Sequence, residues 1–281
     1  MRNNAQKVSM VPRSHYTPPV SKCVFYKFHE GSGASIADAL GNGPTFTINT
    51  GTPLQTTGGY KPTAANSTVY ATAAANAYLF SLLSLVGSLG ELLIGYDYQS
   101  TINAIGAQQW FFQAGVSDGG ASSDGCIIVG ANTAENHSFS VRGISTSSLV
   151  TASGTGTPFA TTNRITNVIS LRNPSGGDTA DITFYSRNGN TIITNSTTLN
   201  LAGNSTWAHY GSADDHGYTI GARRTSTNTY DQHQNGNAAD GATISHLLMF
   251  RSDELVAGLA TKVLAQMHQF PGEFPLALAG L

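Results

Sequence analysis

Two carboxylates held a short distance apart are the first chemistry to look for in this chain. Retaining glycoside cleavage needs such a pair about 5–5.5 Å apart. On a single strand that requires acids two residues apart on one face. The glutamates are Glu30, Glu91, Glu135, Glu254 and Glu273, and none sits in such a cluster. Glu91 and Asp97 share strand parity, but six residues at ~3.3 Å each separate them by ~20 Å. A glycan-cleaving role is therefore set aside, and the expectation is a protein that is not an enzyme. There is no Gly-x-Ser-x-Gly elbow, phosphate loop or dinucleotide fingerprint in a strand-turn-helix setting. Glu30-Gly31-Ser32-Gly33 lacks the lysine and helix of a phosphate cradle and reads as a turn.

Two other constellations remain. Asp214-Asp215-His216, Asp231-Gln232-His233 and Asp240 lie in polar stretches. Oxygen-rich loops can hold Ca²⁺, so Asp214, Asp215, Asp231 and Asp240 are candidate ligands, with solvated loop acids as the alternative. Zinc is disfavoured because no cysteine or paired histidine accompanies them. Aromatic rings can stack on sugar faces, and Trp207, Tyr210 and Tyr230 stand among polar neighbours. They are the candidate glycan platform, with packing at the sandwich edge as the alternative. Trp110 stands in the apolar run Trp110-Phe111-Phe112 and reads as core.

The elements that would position these residues are short strands. Val24–Phe28 and Phe46–Asn49 flank Gly/Asn turns and read as an opening hairpin. Leu92–Tyr96, Cys126–Gly130, Ser138–Arg142 and Ile165–Arg172 continue the pattern. Asp181–Arg187 and Thr191–Thr194 join through Asn188-Gly189-Asn190, a strong hairpin cue. A single helix is predicted from Ser252, which would cap it, with Leu255, Leu259, Val263, Leu264 and Met267 as its apolar stripe.

Composition narrows the class further. The chain has 281 residues, 40% hydrophobic and only 11% charged, with 31 glycines and a net charge of −2. That apolar content at low net charge argues against disorder. A near-neutral surface argues against nucleic acid as the main partner, because phosphate recognition needs a basic stripe. The apolar run Ala77–Gly90 is shorter than a ~20-residue span, so no membrane partner is expected. The N-terminus has no apolar core of a secretory signal. Two cysteines, Cys23 and Cys126, exclude a disulfide framework; free buried thiols are favoured over one bridge.

The order of these motifs is similar to that of the concanavalin A-like, laminin-G-like jelly-roll family. The residues are Tyr26-Lys27-Phe28-His29-Glu30-Gly31-Ser32-Gly33, Asp38-x-x-Gly41-Asn42-Gly43, and Tyr185-x-x-Asn188-Gly189. Tyr218-Thr219-Ile220-Gly221 and the closing run Ala242–Phe250 complete the set. The resemblance implies an all-β, two-sheet antiparallel jelly-roll sandwich over residues 23–251. A C-terminal helix and tail, 252–281, would pack on it, and an extended polar arm would cover 1–22. The strands of Val24–Gly51 are expected to pair with the closing strand.

Fold does not give function. The favoured expectation is a non-enzymatic virion component of a tailed bacteriophage, a capsid decoration protein or tail adhesin. Its arm would contact other virion proteins, since a polar terminus is ordered only when tied down. A homo-oligomer and a host glycan are further expected partners. The alternative is a carbohydrate-binding, lectin-like module.

Overall fold

The computed structural model describes residues 20–28, 35–48, 54–56, 59–61, 69–71, 82–83, 90–99, 109–115, 126–132, 136–142, 150–156, 162–172, 179–200, 218–226, 229–232 and 243–271. Of the expected arm, only its last three residues, the 3-10 turn Val20–Lys22, fall within that set.

Alternating apolar runs bounded by turns become a sandwich of two eight-stranded antiparallel sheets. The first sheet runs, from its edge, β14 (Thr191–Asn200), β13 (Thr179–Asn188), β12 (Arg164–Arg172), β7 (Glu91–Gln99), β18 (Thr243–Ser252), β5 (Gly59–Lys61) and β4 (Leu54–Thr56). β1 (Cys23–Lys27) also pairs with β18, Cys23 opposite Phe250 and Lys27 opposite His246. The second sheet runs β11 (Val150–Ser153), β10 (His137–Arg142), β9 (Cys126–Ala131), β8 (Gln109–Gly115), β15 (Tyr218–Ile220), β6 (Val69–Ala71), β3 (Phe46–Ile48) and β2 (Ser35–Ile36). A separate ribbon pairs β16 (Ala222–Ser226) with β17 (Thr229–Gln232). This is the jelly-roll sandwich that the motif order implies.

The opening strands do not form the expected hairpin. β1 joins the closing strand in the first sheet, whereas β3 crosses to the second and pairs with β2 and β6. The physical cause is Asp38. Its carboxylate accepts N–H bonds from Phe25 at 2.7 Å, Asn42 at 2.8 Å and Gly43 at 2.8 Å. Asn42 Nδ2 donates to the Cys23 carbonyl at 2.9 Å. The Asp-x-x-Gly-Asn-Gly motif is thus a latch that folds the chain under β1 and sends it to the other sheet. Gly43 must lack a side chain, because a Cβ there would lie 2.5 Å from the Tyr26 hydroxyl.

Between the sheets lies the main core. β7 supplies Leu92, Ile94, Tyr96 and Tyr98, and β8 supplies Phe111 and Phe112, all buried. Phe111 stacks on Tyr96 at 4.8 Å and meets Tyr98 edge-on at 5.1 Å. The other face of the first sheet carries α1 (Leu259–Gln269). Leu259, Ala260, Val263, Leu264 and Met267 close over Phe25, Leu93, Val168, Leu248 and Phe250. β7 is therefore covered on both faces, which explains its nearly unbroken apolar run. Each buried large side chain on the helix contributes about 1.5–3 kcal/mol of transfer free energy.

The helix begins later than its sequence suggests. β18 extends to Ser252, whose hydroxyl binds Glu254 in a local turn instead of capping a helix. α1 starts at Leu259 behind Gly258, which adopts φ +70. Leu255 is 52% exposed and lies off the buried stripe. Cys23 and Cys126 are both buried thiols and do not form a disulfide. Trp110 is buried as well, but with Cys126 and Ile128 in a small cluster separate from the main core.

Candidate functional site

Three clusters of buried polar side chains have the residue types of catalytic machinery. The first lies between the sheets. β12 turns Asn167 inward, β13 turns Ser186 inward, and β10 brings His137 across from the second sheet. The Ser186 hydroxyl donates to Asn167 Oδ1 at 3.1 Å. His137 Nε2 bonds to the Ser186 oxygen, and Tyr96 OH lies 3.1 Å from His137 Nδ1. Because serine gives its proton to Asn167, Nε2 must carry a hydrogen toward serine. Nδ1 then accepts from Tyr96. The protons run one way along Tyr96, His137, Ser186 and Asn167. Burial lowers the His137 pKa to about 3, so the ring is neutral, as that chain requires. A Ser–His pair of this polarity has no imidazole lone pair facing the serine. It is a buried bridge between the sheets, and His137 and Ser186 are only 2% and 3% exposed.

A second cluster lies under the helix end. Asp97 on β7 points to the outer face and accepts from Arg164 Nη2 at 2.6 Å and His246 Nδ1 at 2.9 Å. Arg164 Nη2 also donates to the Met267 carbonyl at 2.9 Å, and Thr166 Oγ1 lies 3.0 Å from His268 Nδ1. The guanidinium thereby meets the negative end of α1, where a cation is favoured. His268 titrates below its ordinary range, through partial burial and the nearby Arg187 and Arg164 charges. Asp97 is fully buried, and it is Arg164, held by that carboxylate, that anchors the helix end.

Glu91, the other acid on β7, sits at the far end of the same face. It bonds Ser170 and, at 3.2 Å, Arg172, and it too is fully buried. The wide separation read from strand parity holds, and each acid is committed to a different anchor. No group of three potential metal-binding side chains occurs among the described residues.

None of the candidates taken from sequence is a member of these three clusters. Trp207, Tyr210, Asp214, Asp215 and Asp240 are outside the described residues. Tyr230 and Asp231 fall on β17, opposite Arg224 and Arg223. The segment holding the first four leaves the first sheet at Asn200, opposite Thr179, and re-enters the second at Tyr218, opposite Ala114. The segment holding Asp240 re-enters at Thr243, opposite Gln99. Asn200 and Thr243 stand at opposite ends of the first sheet. The described strands therefore give these five residues, Tyr230 and Asp231 no common anchor. Neither the His137 bridge nor the Asp97 anchor was anticipated from sequence. The only signal was a polar residue at a core-facing position, Asn167 in β12 and Ser186 in β13.

No protein-family description matches the sequence, and no curated protein does. Solved structures do resemble the fold. Trypanosoma rangeli sialidase in complex with sialic acid superposes with a TM-score of 0.50 at 11% identity. That match covers 90% of this chain and 34% of the sialidase. The carbohydrate-binding module CBM40 of Ruminococcus gnavus IT-sialidase aligns at TM-score 0.45 and 12% identity, over 73% of this chain and 96% of the module.

Proposed function

We propose that this chain is a carbohydrate-recognition module that performs no glycoside cleavage itself. The observation that supports it is the sandwich fold, shared along nine-tenths of the chain with a sialidase that holds sialic acid. Sialylated glycans are accordingly the first ligand class to try. Trp207 and Tyr210 are the proposed stacking residues and Asp214 and Asp215, on the same segment between β14 and β15, the proposed Ca²⁺ ligands; Tyr230, Asp231 and Asp240 belong to the segments around β17 and before β18 and are left out of that site. Glu91 and Asp97, both sealed from solvent and each held in its own anchor, do not form the exposed pair of a two-carboxylate glycosidase. Calorimetric titration with sialyllactoses and unsialylated controls tests binding, with and without EDTA. A fluorogenic sialoside tests cleavage, and turnover above the blank would defeat the non-catalytic part.

A second reading is a virus-particle role, as a decoration protein or tail adhesin. It is favoured by the 11% charged, glycine-rich composition and the polar stretch before β1. It is compatible with glycan recognition. Deleting residues 1–21 should abolish attachment to the particle while the sandwich still melts cooperatively. Unchanged attachment would refute an arm-mediated role.

A further inference from the structure

We propose that β14 pairs edge to edge with β14 of a second copy of this chain, joining the two first sheets into one continuous sheet. β14 is the outermost strand of its sheet, bonded to β13 along all ten of its residues. No described strand pairs with its other side. Natural sheets blunt such edges with lysine, proline, bulges or short strands. The strands at the other three ends of the two sheets follow that rule: β2 has two residues, β4 three and β11 four. β14 breaks it, with Thr-Ile-Ile-Thr-Asn-Ser-Thr-Thr-Leu-Asn holding no charge, proline or glycine. Its register with β13 has no bulge. Ile192 is 54% exposed, more than any other large hydrophobic among the described residues.

The strand is also held ready for a partner. Asn195 exchanges two side-chain bonds with Thr155, and Thr183 meets Ser196 at 3.0 Å across the β13 boundary. A pre-ordered edge loses little further entropy on pairing.

Charge selects a second copy as the occupant. A two-fold axis through Asn195 places Thr194 opposite Ser196 and Ile192 opposite Thr198, all on the outer face as strand parity demands. Behind Ile192 on β13 lies Arg187, and behind Thr198 lies Asp181. The two-fold thus brings the Arg187 end of each copy toward the Asp181 end of the other, at both ends of the joint. Within the joint there is no charge to repel. β-branched and hydroxyl pairs of this kind favour antiparallel strands.

This inference stands apart from glycan recognition. Sedimentation of the full chain from about 1 to about 100 µM tests it, since dimer population follows protomer concentration. Wild type is expected to be a dimer at the upper end. The double variants Thr194→Lys/Ser196→Lys and Thr194→Glu/Ser196→Glu are each expected to weaken it at least about tenfold. An equimolar mixture of the two should dimerise again, because the facing charges become opposite. Unchanged circular dichroism and melting keep folding out of the comparison. Three results would overturn the proposal: a wild-type monomer at about 100 µM, variants that dimerise like wild type, or folded variants that stay monomeric when mixed.

Discussion

Replacing His137 by glutamine should flatten the acid side of the stability profile. The ordinary histidine pKa is 6.5, and burial lowers that of His137 to about 3 in the folded protein. Between those values the unfolded chain holds one proton that the folded chain refuses. Stability is therefore intact above pH 6.5 and falls as pH drops toward 3, by about 1.4 kcal/mol per unit. At about pH 4.5, two units below the ordinary value, the loss from this one ring is about 2.5–3 kcal/mol. Carboxylates and His268 also titrate, but they do so in both proteins. The readout is consequently the difference between wild type and His137→Gln. Urea unfolding at neutral pH should show the variant about 1–3 kcal/mol less stable, from the broken buried bonds. By about pH 4.5 that gap should shrink to zero or reverse. Parallel losses in the two proteins would show that His137 does not carry this proton linkage. If the variant does not fold, the wild-type imidazole resonances decide: the Nε2–H tautomer should persist unprotonated to about pH 4.5.

Two further outcomes follow from the packing. Asp38→Ala should cost at least about 3 kcal/mol in urea unfolding, since the backbone N–H groups of Phe25, Asn42 and Gly43 lose a charged acceptor; a change under about 1 kcal/mol would remove the latch from the account. Gly95→Ala should destabilise by about 1–3 kcal/mol, because the added Cβ would sit 2.5 Å from the Met267 sulfur beneath α1. Met267→Ala in the same chain should then cost less than it does alone, and simple additivity would contradict direct contact.

The sheets were legible because their signals are local. The Asn188-Gly189-Asn190 turn joins β13 to β14 with Asn188 opposite Thr191, and Gly189 takes φ +57. The closing strand does meet β1, so the domain's ends come together as the motif order implies. What was missed depends on long-range partners. Ser252 looks like a helix cap from its own neighbours, yet pairing opposite Glu91 keeps it in β18. Phe46 alternates like a hairpin partner of β1, yet the Asp38 latch, thirteen residues from Phe25, directs it to the other sheet. Asn167 and Ser186 are unremarkable polar residues until His137 arrives from a strand 49 positions from Ser186. The loop candidates were chosen by residue type, and type alone does not say which strand ends hold them.

Glycan recognition is decided by calorimetry with sialyllactose on wild type and Trp207→Ala. Wild type should show saturable binding. Loss of the tryptophan should weaken it by about 2 kcal/mol, roughly thirtyfold in Kd, with the melting temperature unchanged. No heat from any sialylated or unsialylated glycan, with Ca²⁺ present, would contradict it.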